Sequence, residues 1–133
     1  MKLDDDNHSA FLMYCHLLLV VKYRRKVIDK DISRRLKEIY EYICPNYNIT
    51  IVEWIDDIDH VHVLLKGPQN SGLTKFINVY KSAGNRLIKK EFPQIRAKLL
   101  KEYFWTRSFC LLTTGDVTIE VIKKYIEKQG EKY

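Results

Sequence analysis

Apolar residues in the first half of the chain follow two spacings, one typical of strands and the other typical of helices. Residues 12–23 are nearly continuous in apolar and β-favouring side chains, which predicts a central strand covered on both faces. Between Asp29 and Ile43, apolar residues recur at helical spacing and stop before Pro45, which predicts an amphipathic helix. Residues 48–55 and 60–66 alternate around an acidic turn and are predicted to form a hairpin.

The second half of the chain continues with a helix and a strand. Apolar residues from Leu73 to Ile88 predict a longer amphipathic helix, which Pro93 ends or bends. After a charged connector, residues 104–113 are predicted to form the last strand. The chain then turns at residues 115–116 into a short final helix that stops at Gly130.

This order of strand, helix, strand, strand, helix, strand is that of the α+β ferredoxin-like fold, the split βαβ arrangement. We therefore expect a four-stranded antiparallel sheet with helices on one face, and an additional C-terminal helix that bears Tyr125. The other sheet face must be covered by that final helix, by a partner or by substrate. The 133 residues fit one domain over residues 11–133, after a leader, residues 1–10, that we expect to be disordered.

Composition narrows the classes of partner. The longest uncharged apolar run, residues 11–21, is too short for a membrane span and has no signal-peptide cleavage pattern after it, so we expect a cytoplasmic protein without membrane contact. Cys15, Cys44 and Cys110 have no paired spacing, which argues against a disulfide framework or a cysteine zinc site. Twenty-three Lys and Arg against seventeen Asp and Glu give a charge of +6, which favours polyanionic partners but is also typical of solvated surface charge.

His60 and His62 form a His-x-His pair on the second strand of the predicted hairpin. Side chains two apart in a strand point to the same face, so both imidazoles project together while Val61 and Val63 enter the core. Two imidazoles are a suitable partial ligand set for a divalent metal, with other positions left for water and substrate oxygens. The same pair is also typical of two surface histidines beside an acidic turn, so it needs support from elsewhere in the chain.

Tyr125 and Gln129 lie four residues apart in the predicted C-terminal helix, and therefore on one helix face. Of the nine tyrosines, only Tyr125 has a glutamine four residues later. An ordinary amphipathic helix with a half-buried tyrosine would show the same spacing, so this pair alone does not define an active site.

Together these segments resemble the HUH nucleases, and most of all the single-tyrosine transposases of small insertion sequences. Residues 59–65 (DHVHVLL) resemble the family's His-hydrophobe-His motif, and residues 123–129 (KKYIEKQ) resemble its tyrosine helix. The likeness extends in chain order to residues 16–27, to residues 80–82, and to residues 104–106 with Gly115. It covers nearly the whole chain, although the acidic leader has no counterpart and residues 107–110 fit the last strand only loosely.

The resemblance implies a DNA nicking and strand-transfer enzyme. In it, a divalent metal, Mg or Mn, is held by His60, His62 and Gln129, and Tyr125 attacks the scissile phosphate. The product would be a 5′-phosphotyrosine that keeps the bond energy, so strands are rejoined without ATP or another nucleotide cofactor. The implied substrate is single-stranded DNA with hairpins at the ends of the element. Homodimers of this family place one subunit's tyrosine against the other's histidines, so we expect a homodimer with shared sites.

Two groups of polar and basic residues are predicted to bind the DNA backbone. The group that follows the first strand comprises Arg24, Arg25 and Lys26. The group on the polar face of the long helix comprises Lys81, Ser82, Asn85, Arg86 and Lys89. His16 falls within the first strand, and we interpret it as a structural residue of the strand core.

Two other functions fit parts of the pattern. A replication initiator or relaxase would share the chemistry, although the absence of a helicase region argues against a large relaxase. A non-catalytic RNA-binding module can be built on the same ferredoxin-like sheet. Such a module needs exposed aromatic residues on the central strands, where we predict aliphatic residues and histidines.

Overall fold

The computed structural model describes residues 12–68, 72–99 and 103–113, together with residues 120, 124, 125, 127 and 128, which are helical. In these ranges the strands are β1 (Leu12–Val20), β2 (Thr50–Asp56), β3 (His60–Pro68) and β4 (Cys110–Thr113). The α-helices of the same ranges are α1 (Lys30–Ile43), α2 (Gly72–Glu91) and α3 (Pro93–Leu99). The predicted leader, residues 1–10, lies outside the described residues.

The four strands form one antiparallel sheet in the order β2-β3-β1-β4. This is the strand order of the ferredoxin-like fold, so the predicted architecture is confirmed. Directly paired residues point to the same face of a sheet. His16, Leu18 and Val20 of β1 therefore share a face with His60 and His62 of β3. We call this the histidine face and the opposite side the helix face.

The helix face is covered by α1 and α2, whose apolar stripes build the core. α1 begins after Asp29, whose carboxylate accepts a 2.8 Å hydrogen bond from the backbone N–H of Ile32. The buried residues of α1 recur at helical spacing and are Ile32, Ser33, Leu36, Ile39, Tyr40 and Ile43. Those of α2 are Leu73, Phe76, Ile77, Tyr80, Gly84 and Ile88. The apolar members of both stripes belong to one core cluster with Val61 and Val63, whose predicted burial is confirmed.

α1, α2 and the segment before β4 approach each other closely around Gly84. The buried hydroxyl of Tyr80 donates a 3.0 Å hydrogen bond to the backbone carbonyl of Leu36. A Cβ atom at Gly84 would lie 3.3 Å from Nε1 of Trp105 and 3.8 Å from a methyl carbon of Leu36. Only glycine permits this spacing without displacing its neighbours.

The structure corrects the predicted end of the first strand. β1 ends at Val20 rather than at Tyr23. The reason is that Tyr23 and Arg24 adopt left-handed backbone conformations, with φ of 57° and 53°, which break the strand and turn the chain.

The structure also corrects the predicted connector between α2 and β4, for which no helix was predicted. This connector contains α3, which begins at Pro93 and buries Ile95 and Leu99 at helical spacing. The last strand was predicted to begin at residue 104, but β4 begins at Cys110. Before it, Trp105 forms an isolated bridge with Val21.

None of the helices in the described part of the chain combines the length and the apolar character that a membrane span requires.

Candidate active site

β3 presents His60 and His62 side by side on the histidine face, as the alternation predicts. His62 pairs with Leu18 and His60 pairs with Val20, and both β1 residues are fully buried. Burial, followed by the nearby charges of His16 and His60, lowers the pKa of His62 below its ordinary value. Because metal ligation requires a neutral imidazole, this environment favours the form of His62 that can bind a metal.

Asp59 fixes the ring of His60. The carboxylate of Asp59 lies 2.8 Å from Nδ1 of His60 and accepts a 3.1 Å hydrogen bond from Nε of Arg24. Burial alone would raise the pKa of Asp59, but the hydrogen bonds and charges of His60 and Arg24 outweigh it, so the pKa is lowered. An ionised carboxylate can only accept hydrogen bonds, so Nδ1 of His60 carries a proton, and in the neutral form of the ring the lone pair is on Nε2. Carboxylates are found in this position behind metal-binding histidines.

A strained turn brings Arg24 to Asp59. The left-handed conformations of Tyr23 and Arg24 each cost about 1–2 kcal/mol in a non-glycine residue. Backbone hydrogen bonds from Val21 N–H to the carbonyl of Asp59 (2.9 Å) and from Lys22 N–H to the carbonyl of Phe104 (2.8 Å) hold this turn. Arg24 therefore has a role in supporting His60, and its predicted contact with DNA stays a prediction.

Tyr125 is helical, and its hydroxyl lies 3.1 Å from the hydroxyl of Ser108. Burial raises the pKa of Tyr125 above its ordinary value, although hydrogen bonds with Ser108 and Thr106 oppose this shift. The phenol is therefore protonated at neutral pH. It needs a base or a charge-stabilising group at the phosphate before it can act as a nucleophile.

Tyr125 lies beside the segment that leads into β4, through its contact with Ser108. Cys110, the first residue of β4, follows Ser108 by two positions. Cys110 pairs with Leu18, which pairs on its other side with His62. Two strand spacings, together roughly 10 Å, separate Cys110 from His62 in this row. The structure thus brings the two histidines together on β3, and it holds the tyrosine at Ser108, just before β4. Gln129 lies outside the described residues.

The predicted DNA-binding residues line two cavities and an open groove. Arg24, Arg25 and Lys26 line a cavity of about 420 Å³ with Val27 and with Lys98 of α3. A second cavity, of about 310 Å³, is lined by Lys22, Lys81, Ser82, Asn85, Tyr103, Trp105, Thr106 and Arg107. Ser82 and Arg86 also line a groove of about 800 Å³ along α2, and Lys89 is partly buried on the same helix.

Lys81 and Asn85 also hold the segment that precedes β4. The ammonium group of Lys81 donates hydrogen bonds to the backbone carbonyls of Arg107 (2.7 Å) and Ser108 (3.3 Å). Burial lowers the pKa of Lys81 to about 8. The side-chain oxygen of Asn85 accepts a 2.6 Å hydrogen bond from the backbone N–H of Phe104. Both side chains therefore support the segment that carries Ser108, and their contact with DNA stays a prediction.

His16 is the residue that the sequence analysis misplaced. It is half-buried on the histidine face, where its Nδ1 lies 2.8 Å from Nε2 of His62, so its predicted place in the core was wrong, and its structural role stays a prediction. His16 lies two residues before Leu18 and four before Val20, which places all three side chains on one face of β1. This spacing indicates a contact with His62 only once the register of β1 against β3 is known. Asp59 and Ser108 were also missed as supporting residues, because their partners are set by tertiary contacts.

The histidines form only a partial ligand set in the part of the chain that the structure describes. No three His, Cys, Asp or Glu side chains of these residues converge in the way that a complete metal site would require. A third ligand would have to come from an amide such as Gln129, from water or from substrate.

The sequence is similar to those of known proteins over most of its length. The sequence profile of the family described as "Transposase IS200 like" matches residues 9–129. The ISDra2 transposase TnpA of Deinococcus radiodurans is 32% identical over 117 residues, which cover 88% of this chain and 84% of that relative. The transposase for insertion sequence element IS200 of Salmonella typhimurium is 26% identical over 125 residues, which cover 94% of this chain and 82% of that relative.

Solved structures share the fold. A crystal structure from Deinococcus radiodurans R1, described as that of a transposase, has a TM-score of 0.84 and 25% identity over 98% of this chain and all of that chain. A REP-associated tyrosine transposase bound to a REP hairpin has a TM-score of 0.55 and 9% identity, over 86% of this chain and 62% of that chain. Because the family profile matches nearly the whole chain, and a curated relative is 32% identical over most of it, this protein belongs to the family of IS200-like transposases.

Proposed function

We propose that this protein cuts and rejoins single-stranded DNA by means of Tyr125, as a metal-dependent nuclease and strand transferase. Membership of a transposase family already implies DNA cleavage and strand transfer in DNA transposition. The observation that carries the finer proposal is the pair of His60 and His62 on one sheet face, with Asp59 fixing the first ring. A solvated pair of surface histidines would not need a buried carboxylate that is itself held by Arg24.

The residues present fit a divalent metal ion. His60 offers Nε2, because its Nδ1 is engaged by Asp59, and the lowered pKa of His62 favours its neutral form. We assign Gln129 as the third protein ligand from its place in the motif. Imidazole, amide and phosphate ligands together suit Mn, and the oxygen ligands suit Mg, so Mg or Mn is the proposed ion. When bound, the ion would polarise the scissile phosphate and stabilise the charge that develops on it.

The proposed chemistry conserves the energy of the phosphodiester bond. The phenolic oxygen of Tyr125 forms a bond to phosphorus and loses its proton, while the bond from phosphorus to the 3′ oxygen breaks and that oxygen gains a proton. A 5′-phosphotyrosine and a free 3′-hydroxyl result. Another 3′-hydroxyl can then attack the phosphotyrosine and release Tyr125, so strand transfer needs no nucleotide cofactor.

We further propose that the substrate carries hairpins at the ends of the element and that the active enzyme is a homodimer. A structural neighbour with the same fold is bound to a hairpin, which supports the first point. The second is supported by the hydrogen bond that engages the Tyr125 hydroxyl with Ser108, in the segment before β4. A tyrosine helix of a second copy could then complete the site of the first.

Mixing two inactive variants tests the shared site. A Tyr125→Phe subunit and a His60→Ala subunit are each expected to be inactive in cleavage of a single-stranded hairpin substrate taken from the flanks of the gene. In a mixed dimer with shared sites, one site keeps an intact tyrosine and intact histidines, so cleavage should return. A stable mixed dimer without recovered cleavage would reject the shared site.

Calorimetric titration with Mn tests the ligands. The His60→Ala, His62→Ala double variant should lose Mn binding, whereas His8→Ala removes one imidazole from the leader and should bind as the parent does. Equal Mn binding by the double variant and the parent would reject the proposed metal site.

No observation favours a replication initiator or relaxase over the transposase to which the family points.

The RNA-binding alternative gains one feature from the structure. Tyr14 on β1 is 46% exposed on the histidine face, and the ammonium group of Lys66 lies 5.6 Å from the centre of its ring. The expectation that the central strands lack exposed aromatic residues was therefore wrong at this position. The transposase assignment does not depend on that expectation, because it rests on the family match.

A further inference from the structure

His16 lies on the histidine face and contacts one of the two proposed metal ligands, His62. It pairs with Leu64, while its neighbour Leu18 pairs with His62, so His16 and His62 are diagonal neighbours on adjacent strands. Nδ1 of His16 lies 2.8 Å from Nε2 of His62, and the ring centroids are 5.0 Å apart at 39°. This is a hydrogen bond between two rings, one of which is proposed to bind the metal.

The hydrogen bond can exist in two tautomeric forms when both rings are neutral, because a neutral imidazole has one N–H and one lone pair. If His62 donates from Nε2–H, its Nδ1 keeps a lone pair that is free for another partner. If His16 donates from Nδ1–H, Nε2 of His62 is the acceptor and its Nδ1 carries the proton. Only the first form leaves His62 able to bind a metal without breaking the hydrogen bond.

We infer that His16 is a positioning residue, which accepts the Nε2–H of His62 and thereby holds the Nδ1 lone pair of His62 ready for the metal. The inference rests on the proposed function in one respect, that His62 is a ligand. His16 would do for His62 what Asp59 does for His60, since each occupies the ring nitrogen that the metal does not use. The two ligands would then present different nitrogens, Nε2 from His60 and Nδ1 from His62.

His16 is better suited to this supporting role than to direct ligation. No three His, Cys, Asp or Glu side chains among the described residues converge on one point, so His16 does not complete a set with His60 and His62. His16 also does not fill a space in the hydrophobic core, because its side chain is half-buried. Its paired residues on the two neighbouring strands, Leu64 and Leu112, are apolar.

The first experiment reads the hydrogen bond in the metal-free protein by ¹⁵N NMR of the histidine rings. We expect His62 to carry its proton on Nε2 and to have an unprotonated Nδ1. In the His16→Phe variant, which keeps a flat ring but has no acceptor, this tautomer should no longer be fixed. In His16→Asn, the amide oxygen can take the place of Nδ1 and should restore it. A proton on Nδ1 of His62 in the parent protein would overturn the inference.

The second experiment measures Mn affinity of the same variants by calorimetry. His16→Phe should bind Mn about 10–100-fold more weakly than the parent, which is the usual effect of losing a partner behind a ligand. His16→Asn should recover to within a few-fold. Leu112→Ala removes an apolar side chain paired with His16 and serves as the control for general loosening of the sheet, with Mn affinity expected to be unchanged. Parental affinity in folded His16→Phe would overturn the inference.

Zinc-loaded protein separates positioning from ligation, because zinc is diamagnetic and shifts the ring nitrogens that it contacts. Zinc should shift Nδ1 of His62 and leave both nitrogens of His16 at their hydrogen-bonded positions. A metal-bound shift at His16 would overturn the positioning role. If the parent and the His60→Ala, His62→Ala variant bound metal equally, the proposed metal site would fail. The metal-free tautomer measurement would still decide whether His16 orients His62.

Discussion

Replacing Asp59 by asparagine removes the charge that joins Arg24 to His60 without changing the size of the side chain. One carboxylate oxygen of Asp59 contacts Nδ1 of His60 at 2.8 Å and the other accepts from Arg24 at 3.1 Å. An amide has a single acceptor oxygen, so one contact must be lost whichever way the amide is turned. Hydrogen bonds to charged groups contribute about 1.5–3 kcal/mol. The Arg24 side chain is 37% exposed, so screening reduces its share, and we expect a loss of about 2 kcal/mol in the free energy of unfolding.

Asp59→Asn is also expected to weaken metal binding, and by more than substitutions at most surface positions would. With Asp59→Asn, His60 loses either its orientation or its fixed tautomer, and Mn affinity should fall about 10–100-fold. Asp57→Asn is the matched control, because Asp57 is exposed in the same turn and its carboxylate accepts a 2.7 Å hydrogen bond from the neighbouring backbone N–H of Ile58, which an amide can also do. Urea unfolding and calorimetry give the two quantities.

The pH dependence of stability supplies an independent check. The pKa of Asp59 is lowered in the folded protein, so its contribution to stability is present above its unfolded pKa of about 4 and is lost as the pH falls through the folded pKa. The difference in stability between the parent and Asp59→Asn should therefore shrink on acidification below about pH 4. Parental Mn affinity in folded Asp59→Asn, or a stability difference that does not change with pH, would refute the reasoning.

Two further predictions concern Lys81 and Gly84. Because the pKa of Lys81 is about 8, the dependence of hairpin binding on salt should be weaker at pH 9 than at pH 7, by a slope of about 0.7 for one contact with a single strand. Lys81→Met should remove this pH difference in fluorescence anisotropy titrations, while Lys75→Met, at an exposed position of the same helix, should keep it; a difference that persists in Lys81→Met would contradict the assignment. Gly84→Val forces a branched side chain against Trp105 and should lower the free energy of unfolding by about 1–3 kcal/mol in urea; unchanged stability would mean that Trp105 is free to move.

The fold could be predicted from the sequence where the determinants are local. Asp29 caps α1 at the start of the predicted helix, and the alternation along β3 places Val61 in the core and His60 with His62 on the opposite face. The strand order follows from the order of elements, because few connections suit a small two-layer domain.

The rest depends on contacts between distant parts of the chain. His16 contacts His62 only because β1 pairs with β3 in one particular register, which no local pattern specifies. The left-handed turn at Tyr23 is stabilised by backbone hydrogen bonds from Val21 and Lys22 to Asp59 and Phe104, which lie 38 and 82 residues further along than their respective donors. Ser108, which contacts Tyr125, falls within the predicted last strand but lies before the observed one, which begins at Cys110.

The most direct test of the central claim is the covalent intermediate formed by Tyr125. A single-stranded hairpin oligonucleotide from the flank of the gene is labelled at its 3′ end, incubated with protein and Mn, and separated on a denaturing gel. A 5′-phosphotyrosine keeps the 3′ label on the protein, whereas a 5′ label should leave with the free strand. Tyr42→Phe, a control at an exposed tyrosine of α1, should retain the labelled band. Tyr125→Phe should lose it while binding the hairpin within a few-fold of the parent; a labelled band in Tyr125→Phe, or a 5′ label retained on the protein, would contradict the account.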